Sequence, residues 1–214
     1  MTKRKRNIRQ EDLDADYWQK RAAMEKILGP LHDIVQHAII AFEVGGPVDL
    51  YYFLHAMPGT CFATMEVIDP FGPDVLPSRI GKYELVAFTK HPYQPHDRDN
   101  ARSKIGPFDK INDRITHIFT CLGNYSREAV LNPFETCEIP MDPPEPSWCL
   151  IFDEYRRKNI DFVHRGEKCG LLLIIEIFRR EMEFAMEHGG AVLIKKLKKC
   201  GYYPYSDLDR DMVV

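Results

Sequence analysis

Histidine and aspartate residues crowd one segment of the sequence and could form a metal site there. His91 and His96 are closely followed by Asp97 and Asp99 in the run His-Pro-Tyr-Gln-Pro-His-Asp-Arg-Asp. Imidazole and carboxylate groups are common ligands of Zn²⁺. The two prolines and the irregular spacing nevertheless favour a solvated polar loop over a metal centre.

A second polar group, His32, Asp33 and His37, lies where a helix should give way to a strand. These residues could line a site, but we interpret them as ordinary polar caps of a turn. The sequence therefore predicts no bound metal ion and no other cofactor.

Three glutamates near one predicted strand end could act as an acid and base pair. Glu176 ends the strand, while Glu181 and Glu183 follow on the next helix. Residues two apart on a helix point in different directions, which separates Glu181 from Glu183. A glutamate in a first helical turn is also favoured by the helix dipole without any catalysis. We interpret the three as structural.

The cysteines show no metal or redox pattern. No two are closer than twelve positions, which excludes the CxxC spacing of zinc ribbons. We expect reduced and mostly buried thiols, although a Cys/His pair assembled in space stays open, with His55 and Cys61 flanking one predicted turn. The patterns GxGxxG, GxxxxGK[ST], HExxH and GxSxG are absent. The six cysteines are Cys61, Cys121, Cys137, Cys149, Cys169 and Cys200.

Charge is distributed unevenly along the chain. The formal net charge is −3, yet five basic residues lie within the first ten positions. The remainder carries 24 basic and 32 acidic residues, a net charge of −8. An acidic body argues against a nucleic-acid partner and suits a basic protein partner. The five basic residues are Lys3, Arg4, Lys5, Arg6 and Arg9.

Length and hydropathy indicate one domain without a membrane segment. The 214 residues are 44% hydrophobic, which suits a single domain over residues 11–214, preceded by a basic arm at residues 1–10. No apolar stretch follows the basic start, so we expect no secretory signal. The longest apolar run, residues 171–175, is far shorter than the ~20 residues of a membrane helix. We expect a cytoplasmic protein.

Hydrophobic periodicity predicts an α+β order of elements. The clearest helix begins at Pro107, because apolar residues then recur every three or four positions as far as Leu122. Successive strands joined by short loops favour antiparallel pairing. A proline-rich segment at residues 132–147 should be a loop or an edge. Helices are predicted at residues 11–28, 107–122, 179–188 and 191–199, and strands at 38–44, 48–54, 60–68, 82–89, 148–152, 160–164 and 170–178.

Several of these segments, in this order, resemble the suppressor of fused-like domain, particularly its bacterial members. They are Gly-Gly-Pro-Val-Asp-Leu-Tyr-Tyr-Phe at residues 45–53, Tyr-Glu-Leu-Val-Ala-Phe-Thr-Lys at 83–90, and Leu-Leu-Leu-Ile-Ile-Glu-Ile-Phe-Arg-Arg from 171. The resemblance spans residues 25–214. It implies an α+β fold with a mixed, largely antiparallel sheet flanked by helices.

The resemblance also implies binding and no catalysis. Animal members sequester a transcription factor of the Hedgehog pathway, and many bacterial members look like immunity proteins that neutralise a toxin. Glu84, Glu181 and Arg210 match family positions, where we expect structural roles through buried hydrogen bonds.

These observations favour a non-enzymatic immunity protein that binds a basic toxin domain. Asp142, Glu145 and Trp148 are the predicted contact residues, because exposed carboxylates beside an aromatic side chain suit such interfaces. One alternative is a regulator that sequesters an endogenous protein. Another is an enzyme whose site is assembled in space from Cys61, His55, His91 or Glu181.

Overall fold

The computed structural model describes residues 10–69, 74–94 and 106–214, so most of the basic arm lies outside the described residues. An eight-stranded sheet and four α-helices make up this part of the chain, with one short 3₁₀ helix at Phe42–Val44. The helices are α1 (Gln10–Leu28), α2 (Pro107–Tyr125), α3 (Arg179–His188) and α4 (Gly190–Lys199). The strands are β1 (Leu31–Gln36), β2 (Leu50–Phe53), β3 (Thr60–Ala63), β4 (Lys82–Thr89), β5 (Thr136–Ile139), β6 (Trp148–Glu154), β7 (Phe162–His164) and β8 (Glu167–Ile177).

The strands of the sheet run in the order β1-β2-β3-β4-β8-β6-β5, and β7 pairs with β8 as well. Only β4 and β8 are parallel among the described pairs. The predicted α+β class with a mixed, largely antiparallel sheet is confirmed. The apolar run of residues 171–175 lies in β8, where it is buried between β4 and β6, as predicted for a central strand.

Helix α2 has the apolar face that its sequence predicts. Pro107 occupies its first turn, and the backbone N–H of Gly106 donates to the Asp109 carboxylate at 2.7 Å. The helix contacts β4 and joins the single cluster of buried apolar side chains. Its buried residues are Phe108, Ile111, Asn112, Ile115, Ile118, Phe119, Leu122 and Gly123.

The prediction of an extended segment at residues 38–44 is wrong. The strand lies earlier, at Leu31–Gln36, and residues 42–44 form the 3₁₀ helix. The backbone N–H of Ala38 donates to the Asp49 side chain at 2.8 Å, and Gly46 N–H donates to the Ala41 carbonyl at 3.1 Å. These bonds use donors that a continuing strand would need for sheet pairing.

Strand β3 is also shorter than the predicted 60–68. The buried Glu84 carboxylate accepts hydrogen bonds from the backbone N–H groups of Val67 at 3.2 Å and Ile68 at 3.1 Å. Those donors are therefore not available for the sheet. The predicted loop or edge segment at residues 132–147 contains the edge strand β5.

Candidate functional site

The predicted contact loop lies between β5 and β6. Asp142 and Glu145 are both exposed, and the backbone N–H of Glu145 donates to the Asp142 carbonyl at 3.1 Å, which closes a turn. Trp148 is half-buried at the start of β6, where it pairs with Ile139. The loop thus presents two carboxylates a few residues before a tryptophan whose backbone is paired in the sheet.

Arg114 on α2 contacts two strands of the sheet near this loop: Trp148 on β6 and Glu176 on β8. Its guanidinium carbon lies 5.9 Å from the centre of the Trp148 ring, and one nitrogen lies 3.0 Å from the Glu176 carboxylate on β8. Burial raises the pKa of Glu176, and the charge of Arg114 partly offsets that effect. The ion pair therefore fixes an arginine that is 42% exposed beside the tryptophan.

An open cleft of about 370 Å³ borders the same arginine. One wall is α2, and the other is formed by the end of β4 and the C-terminal segment. The lining residues are Pro107, Lys110, Ile111, Arg114, His91, Asp207, Leu208 and Asp209. The cleft mixes both signs of charge with a few apolar contacts, a composition that suits recognition of a polar or charged group.

Hydrogen bonds hold the C-terminal segment across β4 and β8. The Ser206 hydroxyl donates to the Ile174 carbonyl at 3.0 Å, and its backbone N–H donates to the Phe88 carbonyl at 2.8 Å. Asp207 accepts hydrogen bonds from the Thr89 hydroxyl at 2.5 Å and from the Lys90 backbone at 2.7 Å. The parallel pairing of β4 with β8 thus provides the groups that position the Asp207 carboxylate.

His91 meets two carboxylates of that segment. Its Nε2 atom lies 4.0 Å from Asp207 Oδ1 and 3.8 Å from Asp209 Oδ2. Of the metal-ligating residues considered in the sequence near His91, those at positions 96, 97 and 99 lie outside the described residues. The observed neighbours of His91, Asp207 and Asp209, lie more than one hundred residues later in the sequence. No sequence motif around His91 could therefore have predicted them.

Two residues of the second polar group, His32 and Asp33, line a small pocket of about 160 Å³ with His55, but His37 does not. The His32 ring nitrogen accepts from the Ile34 backbone N–H at 3.1 Å, whereas His37 lies 2.6 Å from the Asp49 carboxylate. Asp33 is exposed on β1. The sequence predicted that His32 would cap a turn. The observed bond is a local cap of this kind, but it lies on the edge strand β1.

The three candidate glutamates are kept apart. Glu176 pairs with Arg114, Glu181 pairs with Arg210, and Glu183 is exposed on α3. The predicted divergence of Glu181 and Glu183 is confirmed. Buried carboxylates that are each bound by an arginine are better suited to stabilising the fold than to exchanging protons.

Glu84 makes the buried hydrogen bonds that the sequence predicts. Its carboxylate lies 3.0 Å from Lys20 Nζ and accepts from the Thr64 hydroxyl at 2.7 Å. Our sequence interpretation missed Lys20, which is 3% exposed. It lies three residues after Tyr17 and four before Met24, on the apolar face of α1, and that spacing is the signal for its burial.

The cysteines are free thiols in different environments. Cys61, Cys149 and Cys169 are buried, Cys137 is half-buried, and Cys121 and Cys200 are exposed, so only half of the thiols are buried where the sequence predicted most of them to be. Burial raises the pKa of the Cys61 thiol well above its ordinary value, and the thiol lies 3.7 Å from the Phe62 carbonyl oxygen. The other half of the hypothetical nucleophile pair, at position 55, is exposed to solvent.

Comparison with known proteins identifies the fold. No family model and no curated protein matches the chain. A solved structure described as "the Sufu-Fu complex crystal structure" matches 92% of this chain and 91% of that chain, with a TM-score of 0.59 and 12% sequence identity. The chain therefore has a suppressor of fused-like fold. None of the described helices is both long enough and apolar enough to cross a membrane.

Proposed function

We propose that this suppressor of fused-like chain is a non-enzymatic protein-binding module, and that it acts as an immunity protein by neutralising a basic toxin domain. The observation that carries the proposal is the exposed loop of Asp142 and Glu145, which leads directly to Trp148. The similar solved structure is that of a Sufu-Fu complex.

The charges of the chain support a basic partner. The sequence beyond the basic arm has a net charge of −8. Complementary charge speeds diffusional association and selects against partners of the wrong sign. Trp148 adds an aromatic contact, and tryptophan is enriched among residues that contribute most to binding energy. Because Arg114 lies over the ring and His117 stacks against it with ring centroids 6.1 Å apart, the ring loses little conformational freedom on binding.

The environments of Cys61, Cys169 and Glu181 support binding over catalysis. Burial raises the pKa of the Cys61 and Cys169 thiols, so both stay protonated and weakly nucleophilic at neutral pH. Glu181 is 0% exposed and bound by an arginine, which leaves it no access to a substrate.

The interface is tested by reversing charge in the contact loop. The probe is the product of the gene adjacent to this one, and its association rate is measured at low and high salt. The double variant D142K/E145K should associate about tenfold more slowly at low salt, with a smaller effect at high salt. The control D33K/E128K makes the same change in net charge at exposed positions elsewhere, and should slow association less than D142K/E145K does.

The immunity role has its own test. The adjacent gene is expressed alone and together with this chain, and growth is recorded. Toxicity that this chain relieves, and that D142K/E145K fails to relieve, supports the proposal. A toxic neighbour that wild-type protein does not neutralise would contradict the immunity role. A non-toxic neighbour together with a stable endogenous partner would instead favour a sequestering regulator.

A further inference from the structure

We propose that His91, Asp207 and Asp209 bind a divalent transition-metal ion, with Zn²⁺ as the best-suited species. One nitrogen or oxygen atom from each side chain lies within 4.8 Å of the others. The inference goes beyond the proposed function and does not depend on it. The bound ion would link the C-terminal segment, through Asp207 and Asp209, to His91 just after β4.

The separations of these atoms suit a site that closes slightly around an ion. Ligand bonds to Zn²⁺ are about 2.0–2.2 Å long, so neighbouring ligand atoms in a tetrahedral site are roughly 3.3 Å apart. His91 Nε2 lies 4.0 Å and 3.8 Å from the two carboxylates. Asp209 is 66% exposed and His91 is 30% exposed, so small side-chain rotations can shorten both distances.

Asp207 is already oriented as a ligand. It is buried, and its two oxygens accept from the Thr89 hydroxyl and the Lys90 backbone N–H. Such outer-shell hydrogen bonds typically fix the direction of a metal-binding carboxylate. Both donors are neutral, and among the described residues the His91 imidazole is the only basic side chain within 4.0 Å of Asp207. A metal ion would neutralise this buried charge.

The donor set and the adjoining cleft favour a transition metal over Mg²⁺ or Ca²⁺. One imidazole with two carboxylates suits Zn²⁺, whereas the two hard cations prefer oxygen ligands throughout. Three protein ligands leave room for water from the open cleft. Lys110 and Arg114 also line that cleft, but the charge of Arg114 is neutralised by Glu176 at 3.0 Å. The bound ion would join the C-terminal segment to the end of β4.

Calorimetric titration with ZnCl₂ alone tests the proposal on the full, demetallated chain. Every protein carries C121S and C200S, because these two exposed thiols could bind Zn²⁺ themselves. The parent should bind one ion that H91Q and D209N bind far more weakly. Loss of a direct ligand should exceed the about 10- to 100-fold cost of losing an outer-shell partner, which is the loss expected for T89V.

Two controls keep the result specific. H188Q removes a histidine that also lies near a carboxylate, 3.7 Å from Glu187, and D211N removes an exposed acid of the same C-terminal segment. Both should bind Zn²⁺ like the parent, and circular dichroism should show that all variants are folded. A parent that binds no Zn²⁺ would overturn the proposal. Equal binding by the parent, H91Q and D209N would overturn it as well.

Discussion

Arg210 donates to both carboxylate oxygens of Glu181, at 2.7 Å each, in an ion pair whose side chains are 3% and 0% exposed. Glu181 also accepts from the backbone N–H groups of Phe178 and Val213, both at 3.0 Å. One carboxylate therefore caps α3 and anchors the end of the chain. The two ends of this contact are 29 residues apart in sequence.

The variant R210A should lose about 3–5 kcal/mol of unfolding free energy, because it leaves the Glu181 charge buried without its partner. Urea denaturation monitored by circular dichroism measures this. The double variant E181Q/R210M should recover much of the loss, because it removes both charges and keeps an acceptor for the Phe178 and Val213 N–H groups. The exposed neighbour Arg180 provides the control, and R180A should change stability by no more than about 0.5 kcal/mol. Equal effects of R210A and R180A would contradict the prediction.

Lys20 should be equally important for docking α1. Its ammonium group donates to the carbonyls of Met65 at 2.7 Å and Ile68 at 2.6 Å, as well as to Glu84 at 3.0 Å. K20M should cost about 3–5 kcal/mol, since a buried carboxylate is left uncompensated. The matched change K26M lies on the exposed side of the same helix and should be nearly neutral. Urea denaturation of the two variants measures their free energies of unfolding. Equal values for K20M and K26M would contradict the prediction.

Gly59 lies where no larger residue fits. Its φ is +94°, and a Cβ there would lie 2.0 Å from the Thr89 carbonyl oxygen. G59A should cost about 2–5 kcal/mol, combining left-handed strain with overpacking. Gly45 has a φ of +96° with open space around it. G45A should therefore cost only the strain, about 1–2 kcal/mol. Thermal unfolding that ranks G45A below G59A in stability would refute this assignment.

Stability should depend on pH through Glu66. Burial and the nearby Asp49 carboxylate raise the pKa of Glu66 to about 8, against an ordinary value of 4.5. The folded protein keeps this proton at pH values where the unfolded chain has lost it. The free energy of unfolding should therefore decrease as pH rises from about 4.5 to about 8. Above that range, Glu66 should contribute no further pH dependence.

The variant E66Q tests that dependence because it cannot ionise. Between pH 5 and pH 9, its free energy of unfolding should fall less than that of the wild type. Titrating groups that do not contact Glu66 contribute equally to both proteins, so the difference reports on Glu66 together with the Asp49 carboxylate beside it. E128Q, at an exposed position, should follow the wild-type profile. Parallel profiles for E66Q and the wild type in urea denaturation would show that Glu66 ionises normally.

The sequence by itself determined most of the regular elements. The apolar periodicity after Pro107 predicted α2, and the apolar run of residues 171–175 predicted the central strand β8. These patterns are informative because backbone hydrogen bonding sets the side-chain period of a helix or strand locally. The prediction at residues 38–44 was wrong because the Asp49 side chain bonds to the backbone there, a contact that no periodicity reveals.

Only the tertiary structure decided which polar residues meet. Glu84 and Arg210 were correctly predicted to be structural, but Lys20, 64 residues from Glu84, was not predicted to be its partner. Likewise, the sequence predicted an exposed loop at Asp142 and Glu145, whereas it did not predict the cleft that Arg114 borders. Its walls come together because β4 and β8 pair in parallel and hold the C-terminal segment. Long-range strand pairing depends on the packing of the whole core, whereas the periodicity that predicts each element is local.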